Sequence, residues 1–375
     1  MSRICRILPI FLILTIAAIG LWPNSQAVEA CGGLFCQTVP VDQQAERIIF
    51  TVNSDDTISA YVQINYTGSA PDFSWVVPVP SVPDVDVAEV DTFDELSNLT
   101  QPVFIPPDLP DCAMVVFESA SAMDDGVGGG GVDVLAAGSV GPYDYVVVDS
   151  PEPDALITWL RENGYRITEE MEPLVRVYNE EGMVFLAMKL QPDQGAQDIQ
   201  PVKMTYESTK PMIPLRLTAV AANPNMNVVT WIFADEQAYP TNYAHPTVDD
   251  SNIRYFIGSF GNAHNYVQLV DQTVDLYEGR AFITEYARPT VMLRSTVSDP
   301  LLQDLFDEYG YVTRFFGRIS PEEMTVDPMF DFDGDMDDVS NIHDLSDFDA
   351  ETVHSCNEVP INIEFDEDVV PFGWE

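Results

Sequence analysis

The sequence predicts an α+β fold: mainly antiparallel strands and hairpins with a few short helices, followed by an irregular acidic C-terminal segment. Three observations point there. Short runs of β-branched and aromatic residues recur between turn clusters, the pattern of strands and hairpins. A few segments carry both a helix start and a helix stop signal. Strands and helices do not alternate regularly, as a parallel βαβ sheet would require.

From Glu46, ERIIFTVNSDDTISAYVQINYTG holds two β-rich runs joined by Ser54-Asp55-Asp56, a hairpin. Phe73 to Val77 is a third strand, stopped by Pro78 and Pro80, and Asp91 to Leu99 is a short helix with Asp91 as its N-cap. Pro102 to Pro110 is proline-rich and extended. Asp124 to Gly131, DDGVGGGG, reads as a loop. A phosphate cradle would need Lys-Ser/Thr after the glycines and no flanking acids.

Tyr143 to Val148 is an apolar strand. Ser150 then caps a helix with Pro151 in its first turn and Asn163-Gly164 at its end. Its buried face is Leu156, Ile157, Trp159 and Leu160. Leu174 to Tyr178 and Met183 to Leu190 flank Asn179-Glu180-Glu181-Gly182 as a second hairpin. Further strands are expected at Val202 to Tyr206, Leu215 to Ala221 and Val228 to Phe233. Asp299 caps another helix, with Pro300 at its start and Gly310 at its end, and Ser320-Pro321-Glu322-Glu323 repeats that cap pattern. No basic residue follows Arg318, and the last 57 residues hold 18 acids, with Val359 to Phe365 as one edge strand.

The N-terminus predicts export. Arg3 and Arg6 precede a mostly apolar run from Ile7 to Leu21. Pro23 and Asn24 break it, and Ser25-Gln26-Ala27 supplies small residues for cleavage. The run is shorter than the roughly 20 residues that span a bilayer, so residues 1–27 read as a cleaved signal peptide and not as an anchor. Val28-Glu29-Ala30-Cys31 offers lipidation at Cys31 as an alternative, against which Glu29 argues, because a lipoprotein signal wants small neutral residues there. No later stretch is apolar enough to span. The expected organisation is therefore residues 1–27 as signal, 28–330 as the main domain and 331–375 as an acidic tail. The length of the main domain allows two subdomains meeting near 120–140.

The chain has 16 Lys+Arg against 61 Asp+Glu; without Arg3 and Arg6 the balance is 14 against 61, a net charge of −47. Such a surface repels phosphate backbones, which argues against nucleic-acid binding. It keeps an exported protein soluble. Hydrophobic residues make up 46%, enough for a packed core. Cys31, Cys36, Cys112 and Cys356 remain after cleavage, an even number that predicts two disulfides of undetermined pairing. CGGLFC is not a C-x-x-C pair, so a thiolate zinc site has no local support.

No H-E-x-x-H, G-x-S-x-G or S-x-x-K is present. Of the four histidines, His245 precedes Pro246 and His264 sits among Gly261, Asn262 and Asn265; either could orient a nucleophile, and His343 and His354 complete the set. Asp331, Asp333, Asp335 and Asp337 alternate through DFDGDMDD with Gly334 at the bend, which offers calcium a set of oxygen ligands. The spacing departs from an EF-hand loop, and the competing reading is a solvated acidic linker.

Longer blocks, CGGLFC, VDQQAERIIF, FSWVVPVP, GPYDYVVV with LITWLRENGY, PLRLTAVAA and YVTRFFGRISPEEMTVDPMF, resemble in order a bacterial family, the domain of unknown function 2330. They run from about Cys31 to Phe330. The resemblance implies exported bacterial proteins and carries over no activity. Some relatives end in a membrane anchor, whereas this sequence ends at PFGWE. The functional expectation is a non-enzymatic binding module of the envelope, with an envelope or extracellular partner. A secreted hydrolase is the alternative.

Overall fold

The computed structural model describes residues 42–67, 73–108, 134–165, 167–192, 194, 198–258, 261–350 and 354–355. Residues 1–27, the glycine loop, Cys31, Cys36, Cys112, Cys356 and Val359 to Phe365 lie outside them.

In chain order the strands begin with β1 (Asp42–Val52), β2 (Thr57–Thr67), β3 (Ser74–Val79) and β4 (Asp84–Val87), then helix α1 (Val90–Thr100) and β5 (Val103–Ile105). After these come β6 (Val134–Val140), β7 (Tyr143–Val148), α2 (Pro153–Glu162), α3 (Met171–Glu180), β8 (Val184–Leu190), β9 (Val202–Glu207) and α4 (Leu215–Thr218). Next are β10 (Ala222–Ala234), β11 (Gln237–Pro240), β12 (Tyr255–Gly258), β13 (Gly261–His264), α5 (Tyr266–Leu276) and β14 (Ile283–Pro289). The chain continues through α6 (Pro300–Glu308), β15 (Tyr311–Ile319), β16 (Phe330–Asp333), β17 (Ile342–Asp344) and β18 (His354–Ser355).

Seven strands form the main sheet in the order β14-β15-β10-β1-β2-β9-β4, and β3-β8-β7-β6 form a second. Every neighbouring pair in these two sheets is antiparallel except β1 with β10. The fold is α+β, as the turn chemistry and the lack of βαβ alternation predict.

Period-two alternation along β1 sorts its side chains between two cores. Ile48 and Phe50 join Trp75 and Val77 of β3 and Leu186 of β8 in the larger core. Ile49 points the other way, into a core with Trp231 and Phe233, closed by Phe93 and Leu96 of α1 and Leu302, Leu305 and Phe306 of α6. The main sheet is therefore covered on both faces, which explains why β1 and β10 tolerate apolar residues at successive positions.

The capped helices start and stop close to where their signals fall. Asp299 accepts a hydrogen bond from Leu302 N at 2.9 Å, with Pro300 at the first position. α2 begins at Pro153, two residues after the expected proline, because the Ser150 hydroxyl bonds Glu152 and holds Pro151 in the preceding turn. Asp91 lies inside α1 and Glu89 holds the N-cap position, without a side-chain cap. β3 runs through Pro78 to Val79.

Three expected elements are corrected. Residues 174–178 are helical: α3 buries Met171, Val175 and Tyr178, spaced four and three apart on one face. Asn179-Glu180-Glu181-Gly182, which reads as a hairpin turn, is that helix's last turn and its cap. Gly182 takes φ of 82°, and Met183 N returns to Tyr178 O at 3.0 Å. Residues 215–218 form a single helical turn, α4, in place of the expected strand. At Ser320 the cap chemistry closes a turn and not a helix, with Ser320 N donating to Glu323 Oε2 at 2.7 Å.

The acidic segment from 331 is mostly irregular, and its described part lies on the domain. β16 pairs with β11, β17 pairs parallel with β5, and Leu345 is fully buried.

Candidate functional site

β14 is an edge strand, and its pairing with β15 contains a bulge. Thr284 faces Phe315 and Tyr286 faces Arg314, so Glu285 has no residue opposite. A bulge bends its strand and re-aims the extra side chain. Here that side chain is a carboxylate buried to 3% exposure. Its Oε2 accepts Arg314 Nε at 2.5 Å, and its Oε1 accepts the Tyr266 hydroxyl at 2.7 Å.

Arg314 is held from behind. Its guanidinium lies 5.0 Å from the Trp231 ring centre, and Nη1 donates to Thr100 Oγ1 at 3.3 Å. Thr100 also accepts Trp231 Nε1 at 2.8 Å and donates to Leu96 O at 2.7 Å. A buried ion pair persists only when its remaining donors and acceptors are met, and this one is met on both sides. Burial, and then the charge on Glu285 and its hydrogen bond, hold the Tyr266 phenol well above its ordinary range.

Tyr266 opens α5, and the residue before it fixes where that helix begins. Asn265 is 1% exposed; its Oδ1 accepts Arg254 N at 2.7 Å and its Nδ2 donates to Asn252 O at 3.1 Å. This links α5 to the tight turn Asp250–Asn252, itself capped by Asp249 through Ser251 N at 2.8 Å. Asp250 is thereby placed with Oδ1 2.5 Å from His343 Nδ1.

His343 comes from β17, directly opposite Phe104 on β5. The two rings stack at 4.8 Å and 16°. Phe104 also packs on His264 at 4.1 Å and Tyr266 at 5.2 Å. Upstream of β17, Val339 exchanges two backbone hydrogen bonds of 2.9 Å with Ala287 on the outer edge of β14. Residues 339–345 therefore run as a strap from the sheet edge to β5. Between the strap, β14 and α5 lies a cavity of about 200 Å³, lined among others by Asp250, Tyr266, Thr284, Glu285, Ser340 and His343.

Both carboxylates in this wall already have partners. Glu285 is paired with Arg314 and Asp250 with His343, while Thr247 and Ser340 add hydroxyls and Val248, Ile283 and Ile342 add apolar surface. With Nδ1 committed to Asp250, His343 keeps Nε2 for exchange with a bound molecule. The arrangement can hydrogen-bond a small polar ligand from several sides.

The histidines divide. His343 and His264 meet across Phe104, and burial together with the nearby His343 keeps His264 below its ordinary range. His245 does not line the cavity; it packs beside Tyr239 at 6.0 Å and burial lowers its pKa. Of the four aspartates expected to hold calcium, Asp331 forms an ion pair with Lys210 and Asp333 accepts Asp335 N at 2.8 Å. Among the described residues no group of three or more His, Cys, Asp or Glu is placed to hold a metal. A calcium ion at Asp331 would have to displace Lys210.

A family model described as an uncharacterized protein conserved in bacteria, DUF2330, matches residues 24–331. The chain belongs to that family. No curated protein and no solved structure matches the chain. The DUF2330 match takes in Asp250, Tyr266, Glu285 and Arg314 and ends before His343, so the strap lies beyond the matched residues. Among the described residues no helix is long and apolar enough to cross a membrane.

Proposed function

We propose that this protein is an exported bacterial binding protein whose cavity takes one small, neutral molecule bearing hydroxyl or amide groups. The cavity's polar wall carries this reading. A carboxylate aimed inward by a bulge, its buried arginine and a tyrosine of α5 form one side, and the Asp250–His343 pair forms another. Because both carboxylates are engaged, the wall favours hydrogen-bonding over recruitment of a bare cation. A cavity of about 150 Å³ is known to hold benzene. The 200 Å³ here suits a molecule somewhat larger, of monosaccharide or amino-acid-amide size. Export rests on the basic, apolar and small-residue order of residues 1–27, and N-terminal sequencing of secreted protein should begin at Val28.

A secreted hydrolase is the second reading, supported by the Asp250–His343 pair. An aspartate that fixes one imidazole nitrogen leaves the other as a general base. Labelling by general hydrolase probes that disappears in His343→Ala would favour it over binding alone.

The binding reading is tested by saturation-transfer NMR against monosaccharides, amino-acid amides and small diols at millimolar concentration. We expect at least one to give transfer that weakens in Tyr266→Phe and Asp250→Asn. Transfer that is equal in wild type and both variants, or absent throughout the panel, contradicts it.

A further inference from the structure

A second buried carboxyl lies away from this cavity. Glu46 stands on β1 in register with Ile48 and Phe50, on the face that packs toward the four-stranded sheet. Alternation places an apolar residue at that position, yet the side chain is an acid at 6% exposure. Its Oε2 is fully enclosed and has no hydrogen-bond partner among the described residues. The other two buried acids among the described residues, Glu285 and Asp327, each have a guanidinium beside them, Arg314 and Arg216. Glu46 has none.

Glu46 lines a crevice between β1, β2, β9 and β3, with about 40 Å³ of free volume. The walls include Phe50, Trp75, Met204 and Tyr206. Half-buried Pro80, Met212 and Pro214 form the mouth. The crevice shares no lining residue with the cavity of the proposed site. A lone water would be poorly held there, since a buried water needs two to four polar partners and Thr218 is the one other non-aromatic polar side chain in the lining. Thr218 already bonds Pro214 O at 3.4 Å.

We propose that this crevice is a second ligand site, for the head and first carbons of a small apolar amine, with Glu46 as the group that binds the nitrogen. Three features select that chemistry. An ammonium supplies the cation that Glu46 lacks among the described residues and can donate to its carboxylate. Aromatic faces such as Trp75 and Tyr206 attract an ammonium as well as an alkyl chain. A chain with net charge −45 draws cations toward its surface before they reach the mouth. A neutral alcohol of the same length would gain the apolar contacts without the ion pair.

Calorimetric titration with n-butylamine at neutral pH and physiological salt tests this, with 1-butanol as the neutral comparison. Wild type should bind the amine in one saturable phase. Glu46→Gln, which keeps the side-chain shape, should lose about tenfold in affinity, and the alcohol should bind about as weakly to both proteins. Met212→Trp, which fills the mouth and leaves Glu46 in place, should abolish saturable amine binding. That variant keeps the test decisive if Glu46→Gln fails to fold. Amine affinity unchanged by either substitution would mean that the exposed carboxylates hold it, and would overturn the proposal. Equal binding of amine and alcohol to wild type would overturn it too.

Discussion

Glu285 and Glu46 are two buried acids with opposite fates. Glu285 has Arg314 within 2.5 Å, so Arg314→Met leaves a buried charge uncompensated and should destabilise by about 3–5 kcal/mol. Replacing both, as Glu285→Gln with Arg314→Met, should cost clearly less, and urea unfolding of the three proteins reads the difference. Glu46 has no cation among the described residues, and burial raises its pKa from 4.5 to about 7. The folded state then holds this proton more tightly than the unfolded chain. Its contribution is fully present below pH 4.5 and is lost as the pH rises through 7. The loss is on the order of 3 kcal/mol. Because other acids titrate in the same range, the informative quantity is wild type minus Glu46→Gln. We expect the variant to gain stability relative to wild type between pH 5 and pH 8; a constant difference would show that Glu46 ionises freely in the fold. Neither acid was legible in the sequence: Glu46 reads as the polar start of the first β-rich run, and no local signal marks Glu285 as the extra residue in a bulge.

At the scale of elements, what could be read depended on whether local chemistry and tertiary burial agreed. They agree for α6, where Asp299 and Pro300 set the start, and Asp299→Ala should cost about 1 kcal/mol in thermal or urea unfolding. They conflict for α3. Val175, Val177 and Tyr178 favour a strand, and Asn179 to Gly182 has the composition of a hairpin turn. Burial of Met171, Val175 and Tyr178 together decides for the helix. The strap shows the same limit in another form. Its composition reads as acidic coat, yet Leu345 is completely buried with Ile253, Tyr255 and Leu269. Leu345→Ala should destabilise by about 2–5 kcal/mol if the strap unfolds with the domain. If only the strap loosens, amides of residues 339–345 should instead exchange faster while the midpoint of unfolding stays put, and hydrogen exchange with mass spectrometry separates these outcomes.

For the whole molecule, the α+β class followed from turn chemistry and absent βαβ alternation, while the cavity did not follow from any motif. Asp250, Tyr266, Glu285, Arg314 and His343 come from five stretches of sequence at no fixed spacing. Only the path of the strap back to β5 brings His343 to the others. The charge of the chain has its own consequence. With 61 acids against 16 basic residues, we expect repulsion in the folded state to exceed what the ion pairs recover. The melting temperature should therefore rise from low to moderate sodium chloride, and a fall would mean that the ion pairs dominate. The central claim is that the walls of one cavity bind a small polar molecule. Its most direct test is a crystal structure of the protein with the strongest ligand from the NMR panel. The account predicts that ligand between the strap and β14, within hydrogen-bond distance of Tyr266 or His343. A ligand seated on the outer surface, with only solvent between His343 and Glu285, would contradict it.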